Sequence, residues 1–165
     1  MRHPAFAGDV TREDLVAWYR ANRARTRALF DLVVPEAYYD RPIGLRNPIV
    51  FYEGHLPAFS VNTLVKLTKK LEGIDERLET LFARGIDPAD EAAVQSPTDV
   101  WPSREEVQAY ARAADALVER HLTEPGEAAF TILEHEAMHQ ETLLYMLHEL
   151  GHEKKRSSLR VDEST

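Results

Sequence analysis

The chain has 165 residues, 44% of them hydrophobic, and a formal net charge of −8. This length suffices for one domain that buries about 70% of its unfolded surface, and the acidic balance argues against sequence-independent nucleic-acid binding, which needs clustered Lys and Arg. Because the sequence has no cysteine, no targeting peptide and no apolar run of about 18 residues, we expect a cytoplasmic protein without disulfides, thiolate ligands or membrane contact.

Four long segments carry the periodicity of amphipathic helices, which predicts an all-α four-helix bundle. They begin at recognisable signals: a capping-box pattern at Thr11 and again at Ser103, and Asn47 followed by Pro48 as N-cap and first helical position. The predicted helices span residues 11–34, 48–71, 103–121 and 125–150. We expect the whole chain to form a single domain.

The segment between the second and third helices, residues 73–102, is predicted to be a long crossover. It should hold a short helix over residues 75–84, followed by a loop that carries Trp101. Arg77 and Arg84 in this segment could meet a carboxylated substrate. A solvated charged face explains these two arginines better.

His135 and His139 are the most informative pair in the sequence. They lie in the middle of the apolar stripe that the fourth helix should turn towards the core, within a sector of roughly 80°. The stripe consists of Ala128, Ile132, His135, His139, Leu143, Met146 and Leu150. Two imidazoles one turn apart, with β-carbons about 5–6 Å apart, can bind one ion in adjacent positions, and desolvation favours their neutral, ligating form.

A core role without metal is the alternative. A single histidine on an apolar stripe is more often hydrogen-bonded to a carbonyl group. A pair, however, has four ring nitrogens to satisfy, at about 1–3 kcal/mol for each one left unpaired. A shared metal removes half of that demand, so the pair favours a metal site.

His55 is the third candidate ligand. The residues within about 60° of it on the second helix form a largely aromatic face that should be buried; they are Phe51, Tyr52, Phe59 and Asn62. Gly54 and Pro57 flank the histidine, and the proline is predicted to kink the helix and re-aim the imidazole. Taken alone, His55 would be better explained as a satisfied core histidine.

The other histidines are predicted to lie away from this site. His121 falls near one end of the bundle, about 14 Å from His135 along the axis. His148 points about 180° away from the core stripe, and His152 lies beyond Gly151, which is typical of a helix C-cap. The charged tail that follows, residues 151–165, is expected to fray.

The pattern His135-x-x-x-His139-x-Glu141, with the upstream segment FYEGHLPAF that contains His55, resembles the DinB-like domain that opens the non-haem iron sulfoxide synthases of ergothioneine and ovothiol biosynthesis. The resemblance extends from about Arg12 to Leu150. It implies a four-helix bundle with a long crossover between helices two and three, and a three-histidine iron site. The implied ligands are His55, His135 and His139, and the candidates for contact with these ligands or with substrate are Tyr52, Asn62, Met138 and Glu141.

The sequence departs from the family in two places. In the family, a second domain similar to formylglycine-generating enzymes follows the bundle and supplies much of the substrate pocket and the catalytic tyrosine. Here only a charged tail follows Leu150. Many ergothioneine-type members also place a glutamine that helps hold the betaine substrate where Met138 stands.

Glu141 is displaced by about 200° from His139, so it should contact a basic residue of another helix or a partner domain, or lie in solvent.

Residues 135–139 also satisfy H-E-x-x-H, the zinc-protease signature in which the glutamate is the general base. A metzincin would require a glycine and a histidine where Thr142 and Tyr145 stand, and no strand is predicted nearby. The protease is therefore the weaker interpretation. Carboxylate ligation by Glu53 or Glu136 is likewise less favoured than three histidines.

The predicted cofactor is one divalent ion, Fe(II) by resemblance, although histidine ligands equally admit Zn(II) or Ni(II). The favoured role is oxidative carbon–sulfur bond formation on a histidine-like substrate with a small-molecule thiol, together with a separate formylglycine-enzyme-like protein or as a homodimer. Two alternatives remain open. One is a stand-alone thiol-dependent S-transferase, and the other is a non-catalytic, metal-stabilised module for binding or storage.

Overall fold

The computed structural model describes residues 9–83 and 101–157. Within these ranges the chain forms α-helices and no strand, which confirms the all-α prediction. The helices are α1 (Arg12–Asp31), α2 (Ile49–Ser60), α3 (Glu76–Leu81), α4 (Arg104–His121) and α5 (Glu127–Glu149). None of the described helices combines the length and the apolar character needed to cross a bilayer.

Helix α2 lies at the centre of the bundle. All of its residues except Phe59 are buried, as expected of a helix that is apolar on every side. It packs against α3, α4 and α5, while α1 packs along α5. Helix α5 therefore meets α2 on one face and α1 on another. His135 and His139 lie on the face towards α2, and Glu136 lies on the face towards α1.

The helix starts follow the predicted capping signals in part. At α1, Thr11 and Asp14 form the full capping box, each side chain accepting a hydrogen bond from the other residue's backbone N–H. At α4, the Ser103 hydroxyl accepts from the N–H of Glu106. The Glu106 carboxylate instead pairs with Arg77, the residue next to the start of α3, so Arg77 is engaged within the fold.

The second predicted helix differs from expectation at both ends. Pro48 is the N-cap rather than the first helical residue, because its backbone is extended, with ψ 164°; Asn47 precedes the cap. At the other end α2 continues as a π-helix over Val61–Thr68. Such segments form i→i+5 hydrogen bonds and often lie beside functional sites. The left-handed Lys70, with φ 59°, follows this segment.

The segment after α5 packs against the end of α1, which corrects the prediction that the tail frays from residue 151. Backbone groups of residues 32–34 form hydrogen bonds with those of residues 154–156. The Lys154 ammonium lies 2.7 Å from the carboxylate of Asp40. Long-range pairing of this kind has no local sequence signal.

The C-cap of α5 also differs from the prediction. Leu150 occupies that position, and Gly151 has φ −56°, a value open to any residue, rather than the left-handed backbone of a glycine cap. A short 3-10 turn over His152–Lys154 follows. The rest of the predicted tail, residues 158–165, and most of the crossover, residues 84–100 with Arg84, lie outside the described residues.

Candidate metal centre

The three predicted ligands converge between α2 and α5. One ring nitrogen from each of His55, His135 and His139 lies within 4.8 Å of the other two. The Nε2 atoms of His55 and His135 are 3.3 Å apart, and the rings of His135 and His139 are 4.5 Å apart between centroids. Among the described residues, no other cluster of histidines and carboxylates has this geometry.

An aromatic ring of α2 lies beside each histidine. The pairs are Phe51 with His55 at 4.9 Å between centroids, Phe59 with His135 at 3.5 Å, and Tyr52 with His139 at 5.8 Å. The first two pairs are stacked, with interplanar angles of 18° and 10°. Stacking limits rotation of the imidazoles and keeps water from these faces, so the rings are held in place before any ligand binds.

A backbone carbonyl fixes the protonation pattern of His55. Its Nδ1 lies 2.7 Å from the carbonyl oxygen of Phe82. A carbonyl oxygen can only accept a hydrogen bond, so Nδ1 must carry the proton and Nε2 must carry the lone pair. Metal-binding histidines are oriented in this way by a partner on the other ring nitrogen, and the lone pair of His55 faces His135.

His139 supplies the test of whether the site fits an ion. Its side chain is fully buried, yet neither ring nitrogen has a hydrogen-bond partner among the described residues. An unsatisfied buried polar group costs about 1–3 kcal/mol. Coordination to an ion would satisfy one of these nitrogens, so the donor set fits a metal better than an apolar core.

The spacing of the nitrogens agrees with this conclusion. Two nitrogens 3.3 Å apart, each about 2.0–2.1 Å from one ion, subtend roughly 107° at that ion, close to a tetrahedral angle. The separation between His55 and His135 is therefore one that two ligands of the same ion can adopt without rearrangement of the helices.

The histidines are held in the neutral form that binds metal. Burial, followed by the neighbouring imidazoles, lowers the pKa of His135 from 6.5 to about 3. Burial, followed by His55 and the positive charge of Arg46, lowers the pKa of His139 to about 4. Burial also lowers the pKa of His55, against the opposing effect of its bond to Phe82. All three should be neutral at neutral pH.

The four residues predicted beside the ligands occupy different environments. The Tyr52 ring is buried next to His139, whereas the Asn62 amide donates to the carbonyl of Glu79 at 3.2 Å. Met138 and Glu141 are both exposed and line a surface pocket. The outward position of Glu141 agrees with its helix phase.

Glu136 is tied to the opposite face of α5. Its carboxylate accepts from Arg23 at 2.9 Å and from the hydroxyl of Thr26 at 2.6 Å, both on α1. A general base beside a metal would have to face the histidines, so this arrangement argues against the protease interpretation. Glu53 is also engaged elsewhere, because it accepts from Gln108 of α4 at 3.3 Å.

The remaining described histidines lie outside the cluster. His148 and His152 are exposed, and His121 is half-buried at the end of α4.

Two features of the site were not predicted: the Phe82 carbonyl and the position of Arg46. A backbone carbonyl leaves no trace in a sequence, whereas Arg46, two residues before the cap of α2, is visible in the sequence as a charge near the first ligand.

Comparison with known proteins agrees with the geometry. Residues 18–143, which include all three histidines, match the DinB superfamily. "Ergothioneine biosynthesis protein 1" of Neurospora crassa is 34% identical over 132 residues, covering 68% of this chain and 14% of that protein. The protein of the same name from Schizosaccharomyces pombe is 32% identical over 126 residues, covering 66% of this chain and 16% of that protein. The chain thus spans about one sixth or less of these relatives.

Proposed function

The chain belongs to the DinB superfamily, and we propose that it binds one divalent metal ion through His55, His135 and His139. The observation that carries this proposal is the convergence of three neutral imidazoles, two of them buried and that of His135 half-buried. Within it, one ring is oriented by a backbone carbonyl and another has no hydrogen-bond partner in the described chain.

We further propose that the ion is Fe(II) and that the site takes part in oxidative carbon–sulfur bond formation. Support comes from two relatives named for ergothioneine biosynthesis and from three protein ligands, which leave coordination positions for a thiol sulfur and dioxygen. Iron would supply the activation of dioxygen when bound. In the overall reaction, a thiol and a C–H bond of a histidine-like substrate are oxidised, one oxygen atom enters the sulfoxide, and the other leaves as water.

The protein's own residues have the preparatory roles. The Phe82 carbonyl holds the proton on Nδ1 of His55, so that Nε2 is free to bind. Phe51 and Phe59 cover the faces of two imidazoles and exclude water from them. Because no carboxylate of the described residues joins the three-histidine cluster, an ion held there would keep its full charge, which favours coordination of a thiolate.

A partner is part of this proposal. Met138, which directly precedes the ligand His139, is exposed. We propose that a separate formylglycine-enzyme-like protein covers this face and supplies the rest of the substrate pocket. An uncovered face would leave the reacting groups open to water.

Metal content tests the binding proposal. Purified protein should hold about one divalent ion per chain, as measured by elemental analysis. Alanine at His55, His135 or His139 should weaken binding by more than about 100-fold, because even residues that only orient a ligand affect affinity 10–100-fold. His121→Ala is the matched control and should bind normally. Full metal retention in His55→Ala would remove that residue from the site.

Turnover tests the reaction. The chain alone, with Fe(II), oxygen, a thiol and a histidine betaine, should form little sulfoxide, and a co-encoded formylglycine-enzyme-like protein should restore it. Efficient sulfoxide formation by the chain alone would refute the need for a partner. Transfer of a cellular thiol to an electrophile, without oxygen consumption, would instead indicate the S-transferase.

A further inference from the structure

Gly54, the residue before the first ligand, is in direct contact with the ring of Phe82. A β-carbon added at Gly54 would lie 2.2 Å from Cζ of Phe82 and within 2.5 Å of two more ring atoms. The Phe82 side chain is itself fully buried, and it packs near Phe51 and stacks on Trp101 at 6.3 Å between centroids. The ring therefore has little room to move, and a side chain at position 54 would force Phe82 to shift.

The same residue, Phe82, orients His55. Its carbonyl oxygen accepts from Nδ1 of His55 at 2.7 Å, and its own N–H donates to the carbonyl of Leu78 as α3 ends. Phe82 thus touches α2 twice, with its ring on Gly54 and its carbonyl on the next residue. Because Phe51 and Trp101 confine the ring, a shift of the whole residue away from α2 would move its carbonyl away from the imidazole as well.

We infer that Gly54 is a positioning residue for the metal ligand His55: its missing side chain lets Phe82 come close enough for the backbone carbonyl to fix the imidazole. This inference uses the proposed metal site for its functional meaning. The contact itself does not depend on a metal, because it involves only α2 and the end of α3. It also gives a physical reason for the Gly-His pair in the aromatic segment.

The test separates the side chain of Phe82 from its carbonyl. Gly54→Ala should displace Phe82, change the ¹⁵N shifts of His55 from the pattern of an Nδ1–H ring, and weaken zinc binding about 10–100-fold. Adding Phe82→Leu removes the clashing ring but keeps the carbonyl. That double variant should recover the His55 signals and an affinity within about threefold of the original. Gly44→Ala, where an added β-carbon meets nothing within 4 Å, is the matched control.

The ¹⁵N shifts of His55 are recorded on metal-free protein. They therefore test the role of Gly54 even if the protein binds no metal. If Gly54→Ala only lowers the melting temperature and leaves the His55 signals unchanged, the glycine has a packing role alone and the inference is overturned. If Gly54→Ala does not fold, the double variant decides: a folded double variant without the Nδ1–H pattern also overturns it.

A second inference comes from the pocket beside Met138. This pocket has a volume of about 530 Å³ and lies between one side of α5 and the side chains of Pro42, Ile43 and Arg46. Arg46 lines it and is half-buried, and its guanidinium forms no ion pair with any of the described residues. It lines the same pocket as Met138, which directly precedes the ligand His139.

The charges around the pocket indicate what it can bind. A half-buried guanidinium without a partner is a strong donor to a carboxylate. Glu141 and Glu149 also line the pocket, so a doubly charged anion such as phosphate would be repelled, whereas a ligand with one carboxylate and one positive charge would not. We propose that Arg46 binds the carboxylate of a zwitterionic substrate. This step rests on the proposed function for the identity of the substrate.

Two ligands that differ by one carboxylate provide the test. Histidine betaine and trimethylated histamine both have a quaternary nitrogen that cannot bind metal, and each is titrated into zinc-loaded and metal-free protein by calorimetry. The betaine should bind more tightly. Arg46→Gln should weaken the binding of histidine betaine at least about tenfold and leave the binding of trimethylhistamine unchanged. Arg120→Gln, at an exposed arginine of α4, is the control and should change the binding of neither ligand.

Several results would overturn the role of Arg46. These are equal binding of the two ligands, equal losses of both in Arg46→Gln, or tighter binding of inorganic phosphate than of the betaine. Failure of the metal proposal appears differently: no zinc would be retained by any variant, while the preference of metal-free protein for the betaine would still report on Arg46.

Discussion

The ion-pair network between α1 and α5 allows a quantitative prediction. The Arg23 side chain is 3% exposed and pairs with Glu136, 2% exposed, at 2.9 Å and with Asp115 at 2.8 Å. Asp115 also pairs with Arg27 at 3.1 Å. Two positive and two negative charges therefore balance. Loss of one partner from a buried pair typically costs 3–5 kcal/mol, because the other charge remains buried without compensation.

We predict that Arg23→Met destabilises the protein by about 3–5 kcal/mol, since it leaves Glu136 with only the hydroxyl of Thr26. Glu136→Gln should cost about 1–3 kcal/mol, because Arg23 keeps its bond to Asp115. The double variant restores charge balance, with Arg27 facing Asp115. It should therefore be more stable than the sum of the two single changes predicts, by about 0.5–3 kcal/mol.

Urea unfolding of metal-free protein, followed by circular dichroism at 222 nm, measures these differences, and equal slopes in all four proteins would show that the comparison is valid. Additive losses, or a cost below about 1 kcal/mol for Arg23→Met, would refute the reasoning. Metal content is a second readout. Glu136→Gln should bind metal normally, whereas strong loss of metal would place Glu136 at the ion after all.

The metal-free protein should lose stability as the pH falls from about 6.5 towards 4, because folding holds the pKa of His135 at about 3 and of His139 at about 4. In this pH range the unfolded chain binds more protons than the folded chain, so the urea midpoint should be lower at pH 5 than at pH 7. Equal midpoints would contradict the neutral state of these two rings in the folded protein. His148→Ala and His152→Ala should leave metal content and Tm nearly unchanged, within about 0.5 kcal/mol, since both are exposed; lost metal would indicate a second site. Lys154→Ala should change Tm little, because its ion pair with Asp40 is open to solvent. Removal of the whole tail should lower Tm clearly more, because its backbone bonds to residues at the end of α1 are lost.

Local signals were enough to predict the long helices and the three histidines. The capping box at Thr11 and the apolar stripe around His135 depend on residues a few positions apart, where helix geometry alone determines neighbours. The stripe therefore gave the correct inward face for both histidines of α5. The pairing of that face with His55 rested on the aromatic surroundings of the first ligand and on the family resemblance.

Features that depend on distant contacts could not be predicted in this way. Glu136 lies near the histidine face in sequence phase, and only the position of Arg23 on α1, 113 residues earlier, shows that its carboxylate turns the other way. The π-helix over Val61–Thr68 is similar, since its apolar pattern suits an α-helix equally well. The docking of residues 151–157 on α1 requires that both chain segments already be in place.

The division of α5 into two polar faces bears directly on chemistry. Glu136 is one residue after His135, yet it is about 100° around the helix and neutralises Arg23 instead of an ion. The glutamate of the H-E-x-x-H pattern is therefore not placed to act as the general base of a zinc protease. Three neutral imidazoles add no negative charge, so an ion they hold would attract a thiolate strongly. The same helix phase argues against a protease and agrees with the proposed binding of a thiol.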